Sequence, residues 1–158
     1  MELNFSEFKR EIFELLGDKK TMVLATSSDN RVTARNMSCV IMNEKIYFQT
    51  DKTFLKYEQI LTNPNVALCT DNIQIEGISK MGKHPFDEEN KEFVKAFEKN
   101  YKGSYDNYSN LDNEVVVGVE PTFITLWKYE NGQPFRDFID IRNKRAYREI
   151  YKTNILLL

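Results

Sequence analysis

Cysteine, glycine and histidine are scarce in this chain of 158 residues, which has two, six and one of them respectively. With a lone histidine and no Cys-x-x-Cys spacing, a structural zinc site is not expected. The few glycines form no Gly-rich fingerprint of the Rossmann kind, so a permanently bound dinucleotide is not expected either.

Long apolar runs and an excess of one charge are also missing. The most conspicuous apolar run covers residues 155–158, far short of the roughly 20 residues that cross a bilayer. With 22 basic and 24 acidic residues the formal net charge is −2, so neither nucleic acid nor an anionic membrane is an expected partner.

The first residues lack the basic and apolar segments of an export signal, and the expected location is therefore the reducing cytoplasm. Cys39 and Cys69 are then free thiols. Hydrophobic residues make up 41% and charged residues 29% of the chain. This balance and length predict one domain over residues 1–158.

Three segments have helical spacing. The first covers residues 5–16, with Asn4 as N-cap and Gly17 as the stop. A short helix follows within residues 51–61, with Thr53 as its cap. The third, residues 85–102, begins with acidic residues and ends with lysines, matching the helix dipole. Residues 103–113 are predicted to be turn-rich.

Alternating or apolar runs predict eight strands, mostly consecutive along the chain. This order favours an antiparallel barrel decorated by helices, a mainly β fold with helices of the α+β class, over a parallel sheet. The predicted strands are residues 21–27, 32–42, 45–50, 66–70, 73–80, 114–120, 122–129 and 135–141.

Residues 32–42 do not alternate cleanly between polar and apolar side chains, so both strand faces should be covered. One face should fill the barrel and the other should meet a ligand or a second subunit. Arg35 lies in the middle of this run, and no other arginine occurs between residues 36 and 135. An arginine there needs a partner against desolvation. A phosphate would serve, and so would an internal carboxylate.

Four runs, at residues 32–40, 46–51, 54–60 and 63–68, together resemble the pyridoxamine 5'-phosphate oxidase-like family of FMN-binding split barrels. The chain is most similar to the branch with the general stress proteins and nitroimidazole-reductase-like proteins. The resemblance extends over about residues 20–130.

The resemblance implies an antiparallel split β-barrel, FMN as cofactor, and a homodimer with the flavin at the interface. Arg35 and Lys56 would meet the flavin phosphate, and Asn72 the flavin ring. Trp127, with Arg136, would reach the flavin of the other subunit. The full set of implied cofactor-binding residues is Arg35, Asn36, Met37, Ser38, Val40, Gln49, Thr50, Leu55, Lys56, Asn72 and Trp127.

The residues themselves agree at the phosphate end. Thr50 offers a hydroxyl, and Lys56 lies in the first turn of the short helix. A phosphate there would meet free backbone N–H groups, the positive helix end and a cation together. The alternative is an ordinary cap with an exposed lysine.

The implied function is an FMN-dependent oxidoreductase that passes electrons from a nicotinamide or another donor to a small neutral acceptor. Val40 stands where the vitamin B6 oxidases have a lysine, and residues 87–102 contain no arginine. True pyridoxamine 5'-phosphate oxidase activity is therefore not expected. The alternatives are a non-catalytic flavin-binding stress protein and a heme-binding member of the same fold.

Several residues have two interpretations. His84 is either a heme or substrate ligand or part of a surface turn. Cys39 is a flavin contact or a small apolar filler. Trp127 is a flavin contact or a core residue. The tyrosines at positions 101, 105 and 108 either form a loop over the flavin or pack at the surface.

Overall fold

A computed structural model of the chain describes residues 1–152, and the apolar run at residues 155–158 lies outside this range. Nine strands form one antiparallel sheet in the described part. They are β1 Glu2–Leu3, β2 Lys19–Ser28, β3 Arg31–Met42, β4 Lys45–Asp51, β5 Asn65–Thr70, β6 Ile73–Met81, β7 Glu114–Glu130, β8 Gln133–Asp140 and β9 Arg145–Ile150.

Six of these strands close into a barrel in the order β7-β4-β3-β2-β5-β6, because β6 pairs with β7 again. The second half of β7 pairs with β8 along its other edge, and the sheet continues from β8 to β9 and β1. The predicted antiparallel barrel with helices is thereby confirmed. The final strand β9 was not predicted from the sequence.

Tight turns set the strand register. Asp29 and Asn30 join β2 to β3 with φ of 48° and 62°, and Asn131 and Gly132 join β7 to β8 with φ of 51° and 78°. Two consecutive positive φ values are typical of the hairpin turn whose twist matches the strands. Both turns were predicted.

Strand β7 runs through Pro121, where two separate strands were predicted. The register shifts there, since Gly77 of β6 pairs with Pro121 while Glu76 pairs with Phe123. Pro121 has no N–H to donate to the neighbouring strand, and the bulge places it where no such hydrogen bond is required. Gly77 permits the close approach, because a Cβ at this position would lie 2.5 Å from Val119 Cγ1.

Four helices occur among the described residues: α1 Phe5–Leu16, α2 Leu55–Thr62, α3 Lys91–Asn100 and α4 Lys102–Tyr108. Helix α1 has its predicted cap, since Asn4 accepts a hydrogen bond from the Glu7 N–H at 3.0 Å. Two predictions were wrong: α3 begins at Lys91, after a 3₁₀ turn capped by Asp87, and the segment expected to be turn-rich contains α4. None of the described helices has the length and apolar character to cross a bilayer.

The main core lies inside the barrel and under α1, and a second core lies outside the barrel under α3. In the second core Val40 and Val116 pack against Phe93 and Phe97. This accounts for the missing alternation of β3 near Val40. Around Val40, the outer face is covered by a helix of the same chain and not by a ligand or second subunit.

Candidate functional site

A cavity of about 390 Å³ opens where β3 and β4 meet the start of α2, the α3–α4 pair and the start of β7. Its volume is in the range of small-molecule sites. It brings together six of the residues predicted to bind a cofactor. They are Asn36, Met37, Ser38, Gln49, Thr50 and Lys56.

Thr50 presents an unsatisfied polar atom in this cavity. The residue is 3% exposed, and its Oγ1 has no hydrogen-bond partner among the described residues. A buried hydroxyl without a partner is costly and needs an explanation. Its neighbour Gln49 is engaged, because Ser109 donates to Gln49 Oε1 at 2.8 Å and so ties the α4–β7 loop to β4.

Helix α2 begins at the cavity without a side-chain cap. Its N-cap is Phe54, which forms no capping hydrogen bond. The predicted cap Thr53 instead donates to Asp51 Oδ1, from its N–H at 2.7 Å and its hydroxyl at 2.6 Å. The first N–H groups of the helix, those of Leu55 and Lys56, are therefore open to an acceptor.

Two cations lie together beside the cavity. Burial lowers the pKa of Lys56 and the nearby charge of Arg35 lowers it further, while the charges of Glu114 and Asp51 oppose the shift. Burial also lowers the pKa of Arg35. Neither side chain forms an ion pair with a carboxylate in residues 1–152. Close, mutually repelling cations of this kind favour an anion between them.

Arg35 is held by uncharged groups. It donates to Thr26 Oγ1 at 2.7 Å, to the Leu24 carbonyl at 3.2 Å, and to the hydroxyl of Thr33. The internal carboxylate considered as an alternative partner is absent from its described contacts. The positive charge therefore remains uncompensated.

Glu114 is a site residue that the sequence analysis missed. It lines the cavity and is 5% exposed. Burial and then the charge of Asp51 raise its pKa to about 7, while Lys56 opposes the shift. An acidic residue immediately before the apolar run Val115–Val117 was the signal available in the sequence.

Five of the predicted cofactor-binding residues do not line the cavity: Arg35, Val40, Leu55, Asn72 and Trp127. Val40 is 1% exposed under α3, and the Leu55 side chain is not among the lining groups. Cys39 is fully buried, and desolvation raises the pKa of its thiol to about 12. Of the two interpretations of Cys39, its burial favours that of a small apolar core residue, and a thiol with this pKa is unreactive.

Asn72 and Trp127 lie in a second cavity of about 420 Å³ between α1 and the start of β6. The Trp127 N–H donates to the Asn72 carbonyl at 3.0 Å. The Trp127 ring lies edge-on to Tyr129 and Tyr151, at centroid distances of 5.8 and 5.4 Å. Arg136, opposite Trp127 in the β7–β8 register, is paired with Glu149 at 3.0 Å.

His84 is a loop anchor. Its Nε2 lies 2.9 Å from the Leu111 carbonyl, and its Nδ1 accepts from the Phe86 N–H at 3.1 Å. Both ring nitrogens are thus engaged within the chain, which agrees with the surface-turn interpretation. Leu111 lines the first cavity, so His84 fixes part of its wall.

The tyrosines form part of a helical wall. Tyr101 donates to the Cys39 carbonyl at 2.8 Å, and Tyr105 packs against the core under α3. Tyr108 lines the cavity and is 53% exposed. Only Tyr108 of the three reaches the first cavity.

The family model for pyridoxamine 5'-phosphate oxidase matches residues 8–128. No curated protein matches the chain. General Stress Protein 26 from Bacillus anthracis has a similar structure, with a TM-score of 0.63 and 19% identity over 85% of this chain and 99% of that one.

Two further solved structures are similar. A NimC/NimA family protein from Clostridium acetobutylicum has a TM-score of 0.54 and 19% identity, covering 94% of each chain. HutZ from Vibrio cholerae, described as a heme storage protein, has a TM-score of 0.58 and 16% identity over 73% of this chain and 86% of that one. At these identities the likeness concerns the fold.

Proposed function

The chain belongs to the pyridoxamine 5'-phosphate oxidase family, and from that premise we propose that it is a flavoprotein that binds FMN. The phosphate of the cofactor lies in the first cavity, between Arg35 and Lys56 and against the start of α2. The observation that carries the proposal is that Arg35, which has no carboxylate partner among the described residues, lies near Lys56, which shares the first cavity with the unpartnered buried hydroxyl of Thr50.

Each feature of this cavity matches one need of a phosphate monoester. The guanidinium of Arg35 and the ammonium of Lys56 supply charge-assisted donors. The uncapped N–H groups of α2 supply neutral donors and the positive end of the helix dipole. The hydroxyl of Thr50 gains an acceptor for its proton. Lys56, Thr50 and the start of α2 border one cavity, and Arg35 lies near Lys56, whereas a nonspecific surface lysine would provide a single donor group.

Bound FMN supplies hydride acceptance and transfer. The chain supplies binding and orientation, with Asn36, Met37 and Ser38 of β3 against the ribityl and ring side of the cofactor. The exposed thiol Cys69 lies on β5, outside the lining of this cavity. We assign no role in the reaction to Cys69. From the family and the cavity we propose that the chain acts as an FMN-dependent oxidoreductase.

The electron acceptor is proposed to be small and neutral. Val40, at the position of the oxidase lysine, is buried under α3 and does not line the cavity. Helices α3 and α4 contain lysines but no arginine. A substrate phosphate would therefore lack charge-assisted contacts of about 1.5–3 kcal/mol each.

A second copy of the chain is proposed to complete the site. Asn72 and Trp127 lie in the second cavity, separate from Arg35 and Lys56, so one chain does not surround a flavin with all of them. Exposed apolar side chains border the second cavity, with Leu15 64% and Tyr129 62% exposed. A homodimer with an interface on the order of 2,000 Å² would cover them.

A heme-binding role has less support in this chain. HutZ is described as a heme storage protein, but here both nitrogens of His84 are already hydrogen-bonded. His84 is the chain's one histidine. Ligation of heme iron by His84 would break the bond to Leu111 or that to Phe86.

The test is the visible spectrum and cofactor content of the purified protein, with oligomeric state measured by light scattering. We expect one FMN per chain and a dimer.

Reduction by NADH or NADPH, followed by turnover with small quinones, nitroaromatics and pyridoxamine 5'-phosphate, then separates an enzyme from a flavin-storage protein. A heme spectrum would contradict the FMN proposal. A monomer that retains FMN would contradict the dimer, and fastest turnover of pyridoxamine 5'-phosphate would contradict the neutral acceptor.

A further inference from the structure

We propose that Gln59, which does not line the first cavity, is a positioning residue that holds the Arg35 guanidinium in place for the phosphate of the proposed cofactor. It acts through the hydroxyls of Thr26 and Thr33. The identity of the ligand rests on the proposed function, whereas the orientation of Arg35 rests on hydrogen bonds within the chain.

Gln59 is buried and fully occupied on its acceptor side. It is 1% exposed. Its Oε1 accepts from Thr26 Oγ1 at 2.6 Å and from Thr33 Oγ1 at 2.8 Å, and its Nε2 donates to the Arg31 carbonyl at 3.1 Å. A carbonyl oxygen has two lone pairs, and both are used by the threonines.

The same two hydroxyls receive Arg35. Its guanidinium donates to Thr26 Oγ1 at 2.7 Å and also to the hydroxyl of Thr33. A guanidinium cannot accept a hydrogen bond, and an amide oxygen cannot donate one. Each hydroxyl must therefore give its proton to Gln59 and offer its lone pair to Arg35. An apolar side chain at position 59 would remove this constraint.

Strand pairing and helix packing bring the members together. Thr26 of β2 and Thr33 of β3 are directly opposite each other in the antiparallel register. Gln59 lies on α2 three residues after Lys56, so one short helix carries one cation and orients the other. The two cations repel each other, and without this network Arg35 would turn away from Lys56. Holding it there reduces the ordering that phosphate binding requires.

The experiment compares Gln59→Leu and Thr33→Val with two controls. Thr33→Ser keeps the hydroxyl. Thr62→Val removes a hydroxyl from the same helix whose one hydrogen bond within residues 1–152 is to the Glu58 carbonyl, at 3.3 Å. The first measurement needs no ligand: side-chain ¹⁵N NMR of Arg35 reports whether rotation of its guanidinium is restricted. The second measures the affinities for FMN and riboflavin.

We expect Gln59→Leu and Thr33→Val to free the Arg35 guanidinium and to weaken FMN binding about ten-fold, with riboflavin binding little changed. Thr33→Ser and Thr62→Val should retain both properties. Because Thr33 is partly exposed, Thr33→Val keeps the test valid should Gln59→Leu fail to fold.

Unchanged Arg35 signals in both variants would overturn the inference whatever the ligand. Equal losses of FMN and riboflavin affinity would overturn it too, since a merely structural role affects both flavins alike. If the wild-type protein fails to bind FMN while the Arg35 signals still depend on Gln59, the proposed function is wrong and the positioning role stands.

Discussion

Two partly buried arginines, Arg148 of β9 and Arg35 of β3, have different surroundings. Arg148 donates to both carboxylate oxygens of Asp137, on the neighbouring strand β8, at 2.7 and 2.8 Å. Asp137 is 1% exposed. Arg35, beside the first cavity, contacts only hydroxyls and a carbonyl within the described chain. The charge of Arg148 is balanced by the fold, and that of Arg35 is available to a ligand.

The contrast extends to the pKa values. The hydrogen bond to Asp137 raises the pKa of Arg148, whereas burial lowers that of Arg35. The surroundings of Arg148 on β9 therefore stabilise its charged form, whereas burial beside the first cavity destabilises the charged form of Arg35. Groups destabilised in this way are typical of functional sites.

The largest expected effect is the loss of the compensated arginine. Arg148→Met leaves the Asp137 carboxylate buried without a partner and should lower the free energy of unfolding by about 3 kcal/mol. The matched control is Arg145→Met, whose exposed pair with Glu2 should be worth less than about 1 kcal/mol. Urea denaturation measures both. Equal effects would show that burial of Asp137 is not what matters.

Removal of Arg35 or Lys56 should weaken ligand binding much more than it lowers the stability of the fold. Arg35→Ala and Lys56→Ala should each weaken FMN binding by about 1.5–3 kcal/mol, with a much smaller loss for riboflavin, which lacks the phosphate. Lys52→Ala removes an exposed lysine outside the cavity lining and is the control. Isothermal titration provides the affinities. Equal losses for the two flavins would contradict the phosphate assignment.

Glu114 should make stability fall as the pH rises from about 4.5 to 7. Its folded pKa is raised to about 7 from the ordinary value of 4.5. The folded state therefore binds a proton more tightly than the unfolded state, and this contribution is full below pH 4.5 and lost above pH 7. After allowance for screening by solvent, we expect about 1–2 kcal/mol.

Glu114→Gln should abolish this part of the pH dependence of unfolding. A nearby phosphate dianion would raise the pKa of Glu114 further, so FMN affinity should also fall as the pH increases past 7. Denaturation and FMN titration of both proteins between pH 5 and 8 provide the comparison. Identical pH profiles for wild type and variant would exclude Glu114 as the titrating group.

The smallest expected effect concerns two buried threonines. Thr50→Val removes a hydroxyl without a partner and should leave the unfolding free energy unchanged or raise it slightly, while weakening FMN binding by about 1 kcal/mol. Thr26→Val removes a hydroxyl bonded to Gln59 and Arg35 and should instead destabilise the protein. A destabilised Thr50→Val variant would show that Thr50 serves the fold alone.

Local patterns predicted much of this structure. The capped helix after Asn4, the turns at Asp29–Asn30 and Asn131–Gly132, and the succession of strands depend on neighbouring residues, and the structure has them. Segment boundaries that depend on distant contacts were predicted less well. Strand β7 continues through Pro121 because Gly77 of another strand permits a bulge, and α4 forms where turn-forming residues suggested a loop.

The mainly β fold and the residue types that would suit a phosphate can be predicted from the amino-acid order, because they follow from local periodicity and from side-chain chemistry. Which of these residues meet depends on the packing of the folded chain. It placed Glu114 beside Lys56, Val40 under a helix, and Trp127 in a separate cavity. The reason is physical: burial and charge proximity depend on strand register and helix packing, which join residues far apart in the chain.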